Sequence, residues 1–213
     1  MLTELVFILD RSGSMCGLES DTIGGFNSMI EKQKKEAGDV YVSTVLFDHE
    51  REVVHDRLPL ERVEKMTDKE YYVRGCTALL DAVGDAIRHI GNIHKYARRE
   101  DVPDNTMFVI ITDGMENASF KYDREQVKNM IERQKNKYVW EFIFLGANID
   151  AVETAGGIGI APEMAVNYNC DSQGTQLNYE VISDAVYAMR DCGSVSSGWR
   201  QRIDDDFNAR GRK

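Results

Sequence analysis

Apolar positions along the chain fall into two patterns, short unbroken runs and longer stripes at helical spacing. Leu5-Val6-Phe7-Ile8-Leu9 is an unbroken run closed by Asp10. Such a run, ended by polar turn residues, suits a strand buried on both faces. Ile23, Phe26, Met29 and Ile30 then recur at helical spacing, continued by Gln33 or Ala37, opposite the charged set Glu31, Lys32, Lys34, Lys35 and Glu36. Residues 41–47 read as a second strand and 52–58 as a third. Their short connection through Asp48-His49-Glu50 forces the pair to run antiparallel. A second amphipathic helix is predicted over about 77–98, with Leu79, Leu80, Val83, Ala86, Ile87, Ile90 and Ile93 on one face. Met107 to Ile111 is another buried run, followed by Asp113. Asp123 opens a third helix carrying Val127, Met130 and Ile131. A strand over 139–145, a short helix over 149–155, a weaker strand over 164–168 and a helix over 175–189 complete the alternation.

Strands alternating with helices predict an α/β domain. Its sheet is mostly parallel, carries one antiparallel strand at or near an edge, and is covered by helices on both faces. Pro59, Pro103 and Pro162 all fall between periodic segments, as breakers should. No internal repeat or low-complexity segment interrupts the pattern. The domain is expected over 1–192, with a polar tail over 193–213. Within that tail Trp199, Ile203 and Phe207 make a stripe four residues apart, a short helix that either docks on its own domain or reaches for a partner.

Composition narrows the function. The 213 residues carry 26 Lys+Arg against 36 Asp+Glu, a formal charge of −10. That balance argues against a nucleic-acid binder, which needs a cationic excess to neutralise phosphates, and against docking on an anionic membrane. The early charge at Glu4 and the brevity of the first apolar run argue against a signal peptide. Cys16, Cys76, Cys170 and Cys192 are too few and too scattered for a disulfide framework and form no CxxC pair. A reduced, cytoplasmic setting follows as the expectation.

Chemistry concentrates where the strands are predicted to end, the place where open parallel sheets bind ligands. The first strand finishes in Asp10-Arg11-Ser12-Gly13-Ser14, the fourth in Thr112-Asp113-Gly114, and the second long helix opens after Gly75-Cys76-Thr77. Asp10, Ser12, Ser14, Thr77 and Asp113 supply two carboxylates and three hydroxyls. This hard oxygen donor set suits Mg²⁺ or Mn²⁺. Two carboxylates only balance the charge of a dication, so a metal held this way stays electrophilic and can accept another molecule's carboxylate. Glu116 and Asn117 are expected on the rim, with Arg11 facing an incoming acid.

In order and separation these residues resemble the metal-ion-dependent adhesion site of von Willebrand factor type A domains. The resemblance spans Leu2 to about Arg190 and fills all five positions. It implies a doubly wound α/β fold, with a six-stranded sheet in the order 3-2-1-4-5-6 and helices on both faces. Ser12, Ser14 and Thr77 would be direct ligands, with Asp10 and Asp113 acting directly or through water. It further implies a binding module rather than an enzyme, with a protein partner donating an Asp or Glu. Cys76 departs from the pattern, since a small Gly or Ser often precedes the threonine. The chain looks like an intracellular bacterial member rather than an adhesion receptor.

Other motifs are weaker. His89 and His94 diverge around a helix, His49 and His55 flank a hairpin, and no zinc motif results. Gly156-Gly157-Ile158-Gly159 reads as a helix C-terminal turn rather than a dinucleotide loop. Cys16 and Cys76 are expected as small buried thiols, with a redox-sensitive pair at the metal as the alternative. A Mg²⁺-dependent phosphohydrolase built on Asp10, or a domain whose metal only ties loops together, are the competing functions.

Overall fold

The computed structural model describes residues 1–210; residues 211–213, at the end of the expected tail, lie outside the described residues. Its centre is β1 (Leu2–Asp10), which pairs in parallel with β2 (Asp39–Phe47) on one side and β4 (Asn105–Thr112) on the other. β3 (Arg51–Pro59) forms the antiparallel edge on β2, while β5 (Glu141–Gly146) and β6 (Ala165–Asn167) extend the opposite side in parallel. The order is β3-β2-β1-β4-β5-β6. The doubly wound α/β sheet with one antiparallel edge strand is therefore as expected.

Strand alternation explains the two layers. Leu5, Phe7 and Leu9 face one buried cluster, and Val6 and Ile8 face the other. β4 repeats the division, with Met107, Val109 and Ile111 on one side and Phe108 and Ile110 on the other. The first cluster is covered by α1 (Glu19–Gln33) and α5 (Ser172–Cys192). The second is covered by α2 (Leu79–Tyr96), α3 (Arg124–Tyr138) and α4 (Ala151–Gly157). Both faces of β1 are thus removed from water, which is why its apolar run shows no alternation with polar residues.

Local chemistry sets the element ends. α3 opens on a capping box: the Gln126 amide N–H donates to Asp123 Oδ1 at 2.8 Å, and the Asp123 N–H donates to Gln126 Oε1 at 3.0 Å. The helix closes on Val139 in the left-handed region at φ 57°, a conformation β-branched residues rarely adopt. Because Val139 is spent on that turn, β5 begins at Glu141 rather than at 139. α2 likewise starts at Leu79, leaving Thr77 in the preceding loop.

The tail folds back. Trp199 and Ile203 are buried in the α1/α5 cluster, and Phe207 is half-buried on α6 (Gln201–Arg210). Trp199 Nε1 donates to the Glu163 carbonyl at 2.9 Å, and Arg210 pairs with Asp171 and Asp206, each at 2.6 Å. No helix among the described residues is long and apolar enough to cross a membrane.

Candidate functional site

β1 and β4 are neighbours, so Asp10 and Asp113 emerge side by side at the strand C-terminal ends. Both are buried, at 1% exposure each. A chain of hydrogen bonds joins the hydroxyls to one of them. Thr77 Oγ1 donates to Ser12 Oγ at 3.1 Å, the Ser12 and Ser14 hydroxyls lie 3.1 Å apart, and Ser14 Oγ donates to Asp113 Oδ1 at 2.6 Å. Asp10 stands beside this chain: Oδ1 accepts from the Ser12 N–H at 2.7 Å and Oδ2 from the Thr112 hydroxyl at 2.6 Å. All five residues singled out from the sequence therefore meet at one place.

Gly114 explains how three hydroxyls can converge. A Cβ there would lie 3.0 Å from Thr77 Oγ1, 3.1 Å from Ser14 Oγ and 3.9 Å from Ser12 Oγ. Any larger residue would press on the donors. The Thr77 loop is held from behind: the Thr77 N–H donates to Asn117 Oδ1 at 2.9 Å, and the Asn117 N–H returns a bond to the Thr77 carbonyl at 3.0 Å. Gly75, at φ 67°, turns this loop, and its carbonyl accepts from the Gly13 N–H at 3.2 Å.

The electrostatics are those of buried negative charge without a positive partner. Burial pushes the Asp10 carboxyl up to about 6, against the opposing pull of its hydrogen bonds from Thr112 and Ser12. Burial also raises Asp113, although Ser14 and Cys170 bond to it. No salt bridge among the described residues includes either carboxylate, whereas buried Asp48, Asp85 and Glu4 each meet an arginine. Two adjacent buried carboxylates without a cationic side chain, beside three neutral hydroxyls, fit a divalent cation. No group of three or more His, Cys, Asp or Glu side chains placed to hold a metal occurs among the described residues. The donor set depends on its hydroxyls.

Several expectations around the site need correction. Arg11 does not face an incoming acid. Its side chain is fully buried, with Nε 2.9 Å from Asp48 and Nη1 2.8 Å from Glu52. Glu116 does not line the rim with a free carboxylate either. It accepts from the N–H groups of Leu80, Ala118 and Ser119 at 2.7–2.9 Å, capping α2. Because Glu116 takes that role, the Thr77 hydroxyl is released toward Ser12. Asn117 is exposed as expected. Cys16 and Cys76 are exposed free thiols rather than buried ones.

Three neighbours of the site had no usable sequence signal. Cys170, after β6, reaches Asp113 Oδ2 at 3.5 Å and is pushed up to about 11 by burial and that carboxylate. Asn148 Nδ2 donates to the Asp113 carbonyl at 3.4 Å, and the Tyr71 hydroxyl to the Asp10 carbonyl at 2.5 Å. Thr112 lay inside the motif, where its hydroxyl could have been read as the partner of Asp10.

Known structures share the fold. No family model and no curated protein matches the chain. A mutant of the PilB minor pilin from Streptococcus sanguinis is similar at 12% identity and a TM-score of 0.61, covering 87% of this chain and 61% of that one. The von Willebrand factor type A protein from Catenulispora acidiphila matches at 13% and 0.57, covering 86% and 42%. The pilus adhesin SpaC from Lactobacillus rhamnosus GG, in an open conformation, matches at 10% and 0.66, covering 88% and 30%. At these identities the likeness is one of fold, a von Willebrand factor type A-like α/β domain. The chain spans less than two thirds of each of these structures.

Proposed function

We propose that the chain is a non-catalytic protein-binding module whose strand-end site holds a divalent cation and captures an acidic side chain of a partner. The observation that carries this reading is the pair of buried carboxylates, Asp10 and Asp113, that meet three hydroxyls and no cationic side chain. Ser12, Ser14, Thr77, Asp10 and Asp113 would hold Mg²⁺ or Mn²⁺. When bound, the ion supplies an electrophilic centre that a carboxylate can approach. Ser14 and Gly13 are the exposed members of the site, so the partner would arrive over them. The rest of the chain supports this by position. The Thr77–Asn117 bonds fix one loop, Gly114 keeps space over the donors, and Arg11 braces the other loop on Asp48.

Asp10 as the nucleophile of a phosphohydrolase fits less well. It is buried, and both of its oxygens are held by Ser12 and Thr112. The partner is a protein, since a chain of charge −10 suits neither nucleic acid nor an anionic membrane, and a reduced cytoplasmic setting suits the free thiols.

The test is affinity capture from cell extract by the intact chain in Mg²⁺, in chelator, and with Asp113→Ala in Mg²⁺. The reading predicts proteins retained only by the unaltered chain in Mg²⁺ and released by excess free glutamate. Identical retention in all three arms overturns it.

A further inference from the structure

A second site lies at the opposite end of the sheet. Where β4 and β5 begin, the last turns of α2 and α3 diverge around a cavity of about 470 Å³, within the size range of small-molecule sites. Its floor is apolar, made by Trp140, Met130 and the open space over Gly91. Trp140 is held rigidly: its ring lies 5.3 Å from Phe108, nearly parallel, and 5.3 Å from His94, edge-on.

The rim has the opposite character to the body of this acidic chain. Arg88, Lys95 and Arg133 line it, and no Asp or Glu does. None of the three forms an ion pair among the described residues. Nearby carboxylates are engaged elsewhere: Asp85 pairs with Arg51 and Lys121, and Glu132 with Lys128. Glu4 is taken by Arg57 and His94, at 2.6 Å each, Asp101 by Arg98 at 2.7 Å, and Asp104 by the Leu2 N–H at 2.8 Å.

One further group points to an occupant. The side-chain oxygen of Gln134, a lining residue, is buried without a hydrogen-bond partner among the described residues. An orphaned buried acceptor costs roughly 1–3 kcal/mol, and a ligand N–H or O–H would satisfy it. Gly91 keeps the space open, since a Cβ there would already be 3.3 Å from Gln134 Nε2.

From these features we infer that the α2/α3 cavity binds a small organic anion with an apolar, ring-bearing body and a carboxylate or phosphate head. The body rests over Gly91 on Trp140 and Met130. The acidic head meets Arg88, Lys95 and Arg133, and a donor on the ring reaches Gln134. The site is separate from the strand-end cluster and does not depend on a bound cation.

Titration of the full chain with anilinonaphthalene sulfonate tests this, followed by displacement with phenyl phosphate, phenylacetate and polyglutamate. Expected are one saturable site and displacement by at least one of the two aryl anions. The preferred one identifies the head group. Arg88→Glu/Arg133→Glu should weaken the probe tenfold or more, and Gly91→Leu, which fills the cavity, should abolish binding. Lys128→Glu, an exposed change elsewhere on α3, should leave it unaltered. Circular dichroism and melting temperature confirm that each variant is folded. Undiminished binding in a folded Arg88→Glu/Arg133→Glu or Gly91→Leu protein overturns the inference, as does displacement by polyglutamate alone.

Discussion

The two ends of the sheet pose opposite electrostatic problems. At the strand C-terminal end, Asp10 and Asp113 are buried carboxylates with no positive partner. At the other end, Arg88, Lys95 and Arg133 surround an apolar floor with no negative partner. α2 serves both: Thr77 lies two residues before its first turn, and its last turns line the cavity. In this chain of charge −10, overall charge therefore says little about either site. What matters is which charges the fold leaves unpaired.

The largest effect is expected at the cavity floor. Trp140→Ala removes a ring packed on Phe108, Phe142 and His94. It should cost about 3–5 kcal/mol in urea unfolding and abolish probe binding. A loss under 1 kcal/mol would show that the floor is not the rigid element described.

Asp10→Asn sharpens the other end. Asp10 is pushed from its ordinary value of 3.8 up to about 6, and each pH unit corresponds to about 1.4 kcal/mol. Neutralising this carboxylate should therefore stabilise the chain by on the order of 3 kcal/mol at pH 7 in chelator, while removing any stabilisation by Mg²⁺. Destabilisation in chelator would contradict the picture of an uncompensated buried charge.

Glu116→Ala probes how the Thr77 loop is held. Loss of the α2 cap should cost about 1–2 kcal/mol in chemical unfolding, with no change at the cavity. The smallest effect is expected at Val139, which is largely exposed and left-handed. Val139→Gly relieves that strain and should raise stability by about 1 kcal/mol, measured as a rise in melting temperature. A fall would mean that the valine side chain contributes packing its exposure does not suggest.

Sheet architecture was legible because the central strand runs and the long helical stripes are distinct, whereas the three-residue β6 is weak in the sequence. The mostly parallel sheet with helices on both faces followed from alternation, and the doubly wound 3-2-1-4-5-6 order from family resemblance. The five donor residues were legible because they belong to three compact motifs at strand or helix ends. Their supports were not. Arg11 turns inward because Asp48, at the far end of β2, offers a buried carboxylate, and nothing local to Arg11 reveals it. Glu116 caps a helix that starts 37 residues earlier in the chain. Cys170 reaches Asp113 only because the three-residue strand β6 pairs with β5. The cavity escaped notice because it depends on two helix ends diverging around Gly91, a spacing in three dimensions rather than along the chain.

The most direct measurement is a Mn²⁺ titration of the intact chain by isothermal calorimetry and electron paramagnetic resonance, beside the folded Asp10→Ala/Asp113→Ala variant. One Mn²⁺ per chain is expected, bound at least a hundredfold more weakly by the variant, while anilinonaphthalene sulfonate binding at the other end stays within twofold. Equal Mn²⁺ affinity in the two proteins would mean that Asp10 and Asp113 hold no cation.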